Sequence, residues 1–362
     1  MRSARFTTRR GIVRILVRQM PETGRVAAEE LVYLSREPLN AETPLERQVG
    51  VVTPASRHYV RDHFAIPRAP ERLAIDGAVR TPLLLDVDDL RSLPRRSLVV
   101  TLECAGNGRA FLDPPAPGEQ WRTGAVSTAE WTGASLRTVL GMAGPLASAV
   151  EVVCVGADSG ASADAGARIA YERSLPLADA TRDDVLLAYA MNGDELPREH
   201  GAPLRLLVPG WYGMASVKWL ARLRLVERRF EGFFQARRYV VGERPLREIA
   251  PRALIAWPRD DDRLPARPFV VRGYAWDGRG SLARVDVSAD GGRSWRDATL
   301  DDALSPYAWR QWHASVAPGT SGQLVVMARA VTTDGDEQPL AEVRNELGYA
   351  NNAVRPVRLE IA

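Results

Sequence analysis

Leu98-Val99-Val100-Thr101-Leu102-Glu103-Cys104-Ala105-Gly106-Asn107-Gly108-Arg109 begins as an apolar run and ends as a glycine-rich turn, with a thiol at the junction. Residues 98–102 read as a buried strand. Cys104 therefore stands where a strand ends and a loop opens. Gly106 and Gly108 let the backbone approach a bulky ligand closely. Arg109 supplies positive charge that favours thiolate and attracts anions. A thiolate so placed is a nucleophile or a soft-metal ligand. The other cysteine, Cys154, lies in the apolar run Val150-Glu151-Val152-Val153-Cys154-Val155 and reads as a small core hydrophobe.

Outward from this stretch the first part of the chain mixes strands, loops and short helices. Residues 134–143 have helical spacing, stopped by Gly144-Pro145. Residues 186–191 lead into Asn192-Gly193, a type I′ hairpin signal. Residues 202–208 and 219–226 read as further strands, an α+β pattern without regular βαβ alternation. A boundary falls near Glu248-Ile249-Ala250-Pro251, beyond which the chain becomes strand-like. Residues 269–276, 283–288 and 323–330 are strands, the last two followed by the turns Asp290-Gly291-Gly292 and Asp334-Gly335. Strands at this spacing point to an immunoglobulin-like sandwich.

Composition narrows the class. A hydrophobic content of 45% and a charged content of 26% are globular values. A net charge of +3 leaves no general nucleic-acid footprint. Two cysteines exclude a disulfide framework, and no apolar stretch of about 18 residues predicts a membrane span. Arg9-Arg10 followed by an apolar run hints at a twin-arginine export signal, but Arg14 and Arg18 interrupt the apolar region. The expectation is a basic tail and a cytoplasmic protein, with periplasmic export as the alternative. The four histidines, His58, His63, His200 and His313, are too scattered for a zinc motif. Gly278-Arg279-Gly280-Ser281-Leu282-Ala283 matches a dinucleotide pattern by letters but leads into a strand, so it is set aside. Among 48 Lys and Arg there is a single lysine, Lys218. A position that keeps a compact ammonium in an arginine background calls for a point charge in a tight space. It lies near Gly210, Gly213 and Pro209, where backbone amides can cradle an anion.

The run C-A-G-N-x-R at Cys104–Arg109 resembles the molybdenum-binding loop of the sulfite oxidase family, which also holds eukaryotic nitrate reductase. Thr53-Pro54, Tyr59-Val60-Arg61-Asp62-His63 and Pro67 resemble the family's first signature, and residues 201–220 its second. Residues 124–133 are similar to another family stretch. The resemblance implies a sulfite-oxidase-type mixed α/β molybdopterin domain at 41–248, after an N-terminal extension at 1–40. An all-β immunoglobulin-like dimerisation domain would follow at 249–362, making the protein a homodimer. It implies a molybdenum ion on a single pyranopterin dithiolene, with Cys104 as the protein's metal ligand. Tyr59, Val60, Arg61, Asp62, His63, Asp158, His200, Arg205, Ser216, Val217 and Lys218 would hold the cofactor. Asp62 stands where relatives usually carry asparagine, which introduces a charge.

A pocket for an oxyanion such as sulfite needs converging guanidiniums. Arg61 and Arg109 match the family motifs, Arg310 is a weaker match from the second domain, and Trp121 resembles the aromatic wall of the family pocket. Tyr239 falls where sulfite oxidases carry their active-site tyrosine and nitrate reductases an asparagine. A phenol there orients substrate or relays protons. No C-x-x-C-H and no histidine before Pro-Gly-Gly occur, so no haem is expected; no flavin is expected either, and electrons pass to an external acceptor, a cytochrome or oxygen. The expectation is oxidation of sulfite to sulfate. The alternatives are another oxyanion or sulfoxide, as in nitrate reduction, and, from another class, a non-catalytic binding protein with an immunoglobulin-like module.

Overall fold

The computed structural model describes residues 31–319 and 321–362. The Arg9-Arg10 segment lies outside the described residues. Strands dominate, and the described residues hold four short α-helices, the longest being Leu136–Ala143. The expected α+β balance is thus shifted towards β. The reason is local: the apolar runs of this chain rarely exceed two helical turns before a strand partner claims them. Residues 134–143 illustrate it. Ala134 and Ser135 pair with Leu187 and Leu186 and finish the strand Val126–Ser135, and only then does the helix begin. Its Leu136, Val139, Leu140 and Ala143 form one buried stripe.

Two five-stranded sheets carry the first domain. One runs Asp194–Glu195, Leu186–Met191, Val126–Ser135, Arg95–Glu103, with Arg205–Leu207 also paired to Leu186–Met191. The Asn192-Gly193 turn joins its first two strands with both residues at positive φ, as a type I′ turn requires. The other runs Leu83–Leu85, Leu73–Gly77, Leu220–Val226, Glu151–Ser162, Ala167–Pro176. Cys154 is completely buried in its fourth strand, where burial alone pushes the thiol up to about 12. A third, small sheet joins Val32–Arg36 and Leu39–Glu42 to Val60–Arg61. The expected extension at 1–40 therefore ends inside a strand that pairs with the Tyr59–His63 segment.

Beyond residue 250 two sheets face each other. Arg252–Trp257, Phe269–Trp276, Arg310–Val316 and Thr299–Leu300 form one. Arg263–Leu264, Val357–Ile361, Gly322–Thr332, Leu282–Ser288 and Arg296–Asp297 form the other. Val271, Ala275 and Trp312 from the first meet Val285, Val326 and Leu359 from the second in one apolar cluster. Val357–Ile361 alternates buried and exposed residues, the pattern of a strand with one wet face. Among the described residues no helix is long and apolar enough to cross a membrane.

Candidate active site

The strand Arg95–Glu103 delivers Cys104 into a cleft. Its lining includes Tyr59, Arg61, Asp62, His63, Cys104, Asp158, His200, Arg205, Ser216, Lys218 and Tyr239. Segments far apart in sequence thus converge on the thiol. Val60 and Val217, proposed beside them, point into the apolar core and leave the cleft to their neighbours.

Three other expected residues lie outside this lining. Arg109 donates from Nε and Nη2 to the Leu347 carbonyl and from Nη1 to that of Glu119, so its guanidinium braces the loop from behind. Trp121 is fully buried in the cluster that holds Tyr59 and Cys104 and acts as packing beneath the site. Arg310 donates to the carbonyls of Asp301 and Leu282 within the second domain. In so arginine-rich a chain, spacing alone does not tell a guanidinium aimed at a ligand from one spent on carbonyls.

Burial pushes the Cys104 thiol up, and Arg61, the Gly106 N–H and Arg109 oppose that rise. The thiol is therefore poised to lose its proton when a cation arrives. Among the described residues no three His, Cys, Asp or Glu side chains gather as a metal site.

Around the thiol the cleft is polar and incompletely matched. Asp62 Oδ2, Asp158 Oδ1, His58 Nε2 and Arg205 Nε are buried without a hydrogen-bond partner. Such groups are costly unless something supplies their partners. Burial raises the Asp158 carboxyl to about 7 and lowers His58 to about 3. The acceptors, donors and cations suit a ligand rich in ring nitrogens, amino groups and phosphate, as a pterin is. The residues present fit the cofactor that the sequence implies.

The lone lysine has a partner. Lys218 Nζ is ion-paired with Asp62 Oδ1, donates to the Glu199 carbonyl at 2.8 Å and lies 4.4 Å from the Trp219 ring centroid. The charge introduced at Asp62 is thus matched inside the chain. Burial pushes the Asp62 carboxyl up and the Lys218 ammonium down, and their mutual attraction opposes both.

On another wall Tyr239 hydroxyl meets His63 Nε2 at 2.7 Å. Burial raises the phenol far above its usual range and holds His63 neutral, so the phenol donates and the imidazole accepts. Tyr239 has φ 54° and Trp219 φ 48°. Two bulky residues in the left-handed region mark backbone strain concentrated at the cleft.

Sequence reasoning missed three contributors. Asn40, assigned to the extension, accepts Arg61 Nη1 at 3.2 Å and the Asp62 N–H at 3.1 Å through Oδ1. Tyr171 stacks on His63 at 4.9 Å and donates to the Met214 carbonyl. His58 adjoins the first signature and packs against His200. Only His58 carried a signal, its position beside Tyr59.

The comparisons agree with this geometry. Residues 63–234 match the model of the oxidoreductase molybdopterin binding domain and residues 244–361 that of the Mo-co oxidoreductase dimerisation domain. The chain is 37% identical to human mitochondrial sulfite oxidase over 91% of its own length, spanning about 65% of that protein. It is 37% identical to sulfite oxidase of Gallus gallus, covering 88% of this chain and 75% of that one. It is 32% identical to sulfite oxidase of Arabidopsis thaliana, covering 90% and 93%. The crystal structure of the sulfane dehydrogenase SoxCD from Paracoccus pantotrophus superposes with a TM-score of 0.80 at 28% identity, covering 95% of this chain and 92% of that one. With its two matched domains and a thiol loop held at the meeting point of its signatures, the chain belongs to the sulfite oxidase family of molybdopterin oxidoreductases.

Proposed function

We propose that this chain binds a molybdenum–molybdopterin cofactor through Cys104 and oxidises sulfite to sulfate, passing electrons to an external acceptor. The observation that carries the reading is the single cleft holding Cys104, Arg61 and Tyr239 among unmatched buried polar groups. When bound, the cofactor supplies two-electron oxygen-atom transfer. The chain's own residues do the rest. Arg61, held by Asn40, presents positive charge to an oxyanion beside the thiol. Tyr239 donates its single O–H to neutral His63 Nε2, which fixes the place of the phenol oxygen in the wall of the cleft. Lys218, Arg205, Asp158 and His200 line the part of the cleft that suits the pterin and its phosphate.

A sulfane-sulfur substrate is the second reading, favoured by the whole-chain likeness to the sulfane dehydrogenase. We also propose a homodimer formed through the C-terminal domain, supported by its match to a dimerisation model, and read its facing sheets of four and five strands as immunoglobulin-like. The deciding experiment is metal analysis and turnover of the chain made in a cofactor-competent host. Stoichiometric molybdenum with sulfite oxidation is expected, and a chain free of molybdenum favours a binding protein. Cys104→Ser abolishes turnover in a folded chain, because a hydroxyl is too hard and too basic for this metal. Cys154→Ser retains turnover per molybdenum. Activity in a folded, cofactor-loaded Cys104→Ser variant contradicts the ligand assignment.

A further inference from the structure

Glu103 precedes the thiol by one residue, so whatever holds its carboxylate sets where Cys104 stands. The carboxylate is buried and fully matched. Oε1 accepts from Arg252 Nη1 at 2.7 Å and from Asn107 Nδ2 at 3.0 Å, and Oε2 accepts from Trp276 Nε1 at 2.8 Å. Both side chains of the Arg252–Glu103 pair are 2% exposed. Arg252 and Trp276 belong to the C-terminal domain, where they face each other as cross-strand partners on adjacent strands. One rung of that sheet therefore grips both oxygens of the carboxylate.

The grip continues along the loop. Arg252 Nη1 donates to the Asn107 carbonyl at 3.2 Å, the Ala350 N–H to the Ala105 carbonyl at 2.8 Å and Asn351 Nδ2 to the Gly108 carbonyl at 3.1 Å. A buried ion pair is a poor device for stability alone, since well-packed apolar residues often do as well or better. What it adds here is direction: the carboxylate is satisfied in one geometry only, and that geometry fixes the loop.

We propose that Glu103 is a positioning residue through which the Arg252–Trp276 rung of the C-terminal domain holds the thiol loop in its ligating place. The C-terminal domain is then part of the metal site's construction. The proposal rests on the reading of Cys104 as the metal's ligand. It is tested without metal, so it can fail while that reading stands.

The test is alkylation of the two thiols by iodoacetamide, followed by mass spectrometry, in the full chain produced without cofactor. Glu103→Gln places an amide N–H against donors, so the side chain satisfies fewer of them. In that variant and in Arg252→Met, Cys104 is alkylated about tenfold faster than in the native chain, the change that ~1.4 kcal/mol in a local opening equilibrium produces. Cys154 keeps its native rate. Trp276→Phe removes the indole donor alone and gives a smaller rise in the same direction, so it decides the matter if Glu103→Gln does not fold. Val326→Ala, a cavity in the C-terminal core away from the rung, leaves the ratio of the two rates unchanged. Equal acceleration of both thiols, or no change at Cys104, overturns the proposal, because a contact that merely stabilises the fold loosens both.

Discussion

Lys218 and Asp62 show how one residue's role depends on its partner. Removing the lysine leaves Asp62 buried, with one oxygen already without a hydrogen bond. Breaking a buried pair from one side costs about 3–5 kcal/mol. We therefore expect Lys218→Ala to lower molybdenum content per chain more than turnover per bound molybdenum, with Asp62→Asn in the same chain restoring part of the lost stability. Normal molybdenum content and unchanged denaturation in Lys218→Ala contradict this. Asp158 gives a pH dependence. Its carboxyl is raised to about 7 in the folded chain, so folding favours its protonated form. That contribution is full below about pH 4 and is lost as pH rises through about 7. In the cofactor-free chain Asp158→Asn thus gains up to about 4 kcal/mol over the native residue above neutrality, at ~1.4 kcal/mol per tenfold in proton affinity, and gains nothing near pH 4. Denaturant titrations at the two pH values check it.

The thiol loop is the element on which the site turns. Gly108 has φ 87°, and a Cβ there would stand 2.8 Å from Arg252 Nη2. Gly108→Ala costs about 1–2 kcal/mol from backbone conformation, and the close approach to Arg252 adds to that. Denaturation should show this loss, together with weaker retention of molybdenum. A neutral substitution would mean that the loop is not held by its contacts with the second domain. The flanking elements were legible. The strand into Cys104 and the Asn192-Gly193 hairpin follow from apolar periodicity and from residues that tolerate positive φ. The helix after Ser135 starts two residues later than its periodicity, because sheet pairing outweighs helix propensity at Ala134 and Ser135.

At the scale of the whole molecule, the apolar core is shared. Tyr274, Trp276, Trp309 and Tyr349 of the second domain belong to the same cluster as Leu136, Val152 and Leu206 of the first. Trp309 donates from Nε1 to the Val51 carbonyl at 2.6 Å and from its backbone N–H to Thr101 Oγ1 at 2.7 Å. An interface this continuous with the core couples the two domains. Calorimetry of the cofactor-free chain should show one transition, with calorimetric and van't Hoff enthalpies in agreement per cooperative unit. Two separated transitions contradict the coupling.

The sequence by itself determined which thiol is special, which is inert, where the second domain begins to read as strands, and which signatures belong together. These are local properties: apolar periodicity, glycine at a turn, a motif read letter by letter. Only the tertiary structure decided which arginines face the cleft, since Arg61 lines it while Arg109 and Arg310 are spent on backbone carbonyls. It alone brought Asn40 to Arg61, and Arg252 and Trp276 to Glu103. A hydrogen bond is directional and spans about 3 Å. Whether two residues from different strands make one depends on how the sheets are packed, and no spacing along the chain records that.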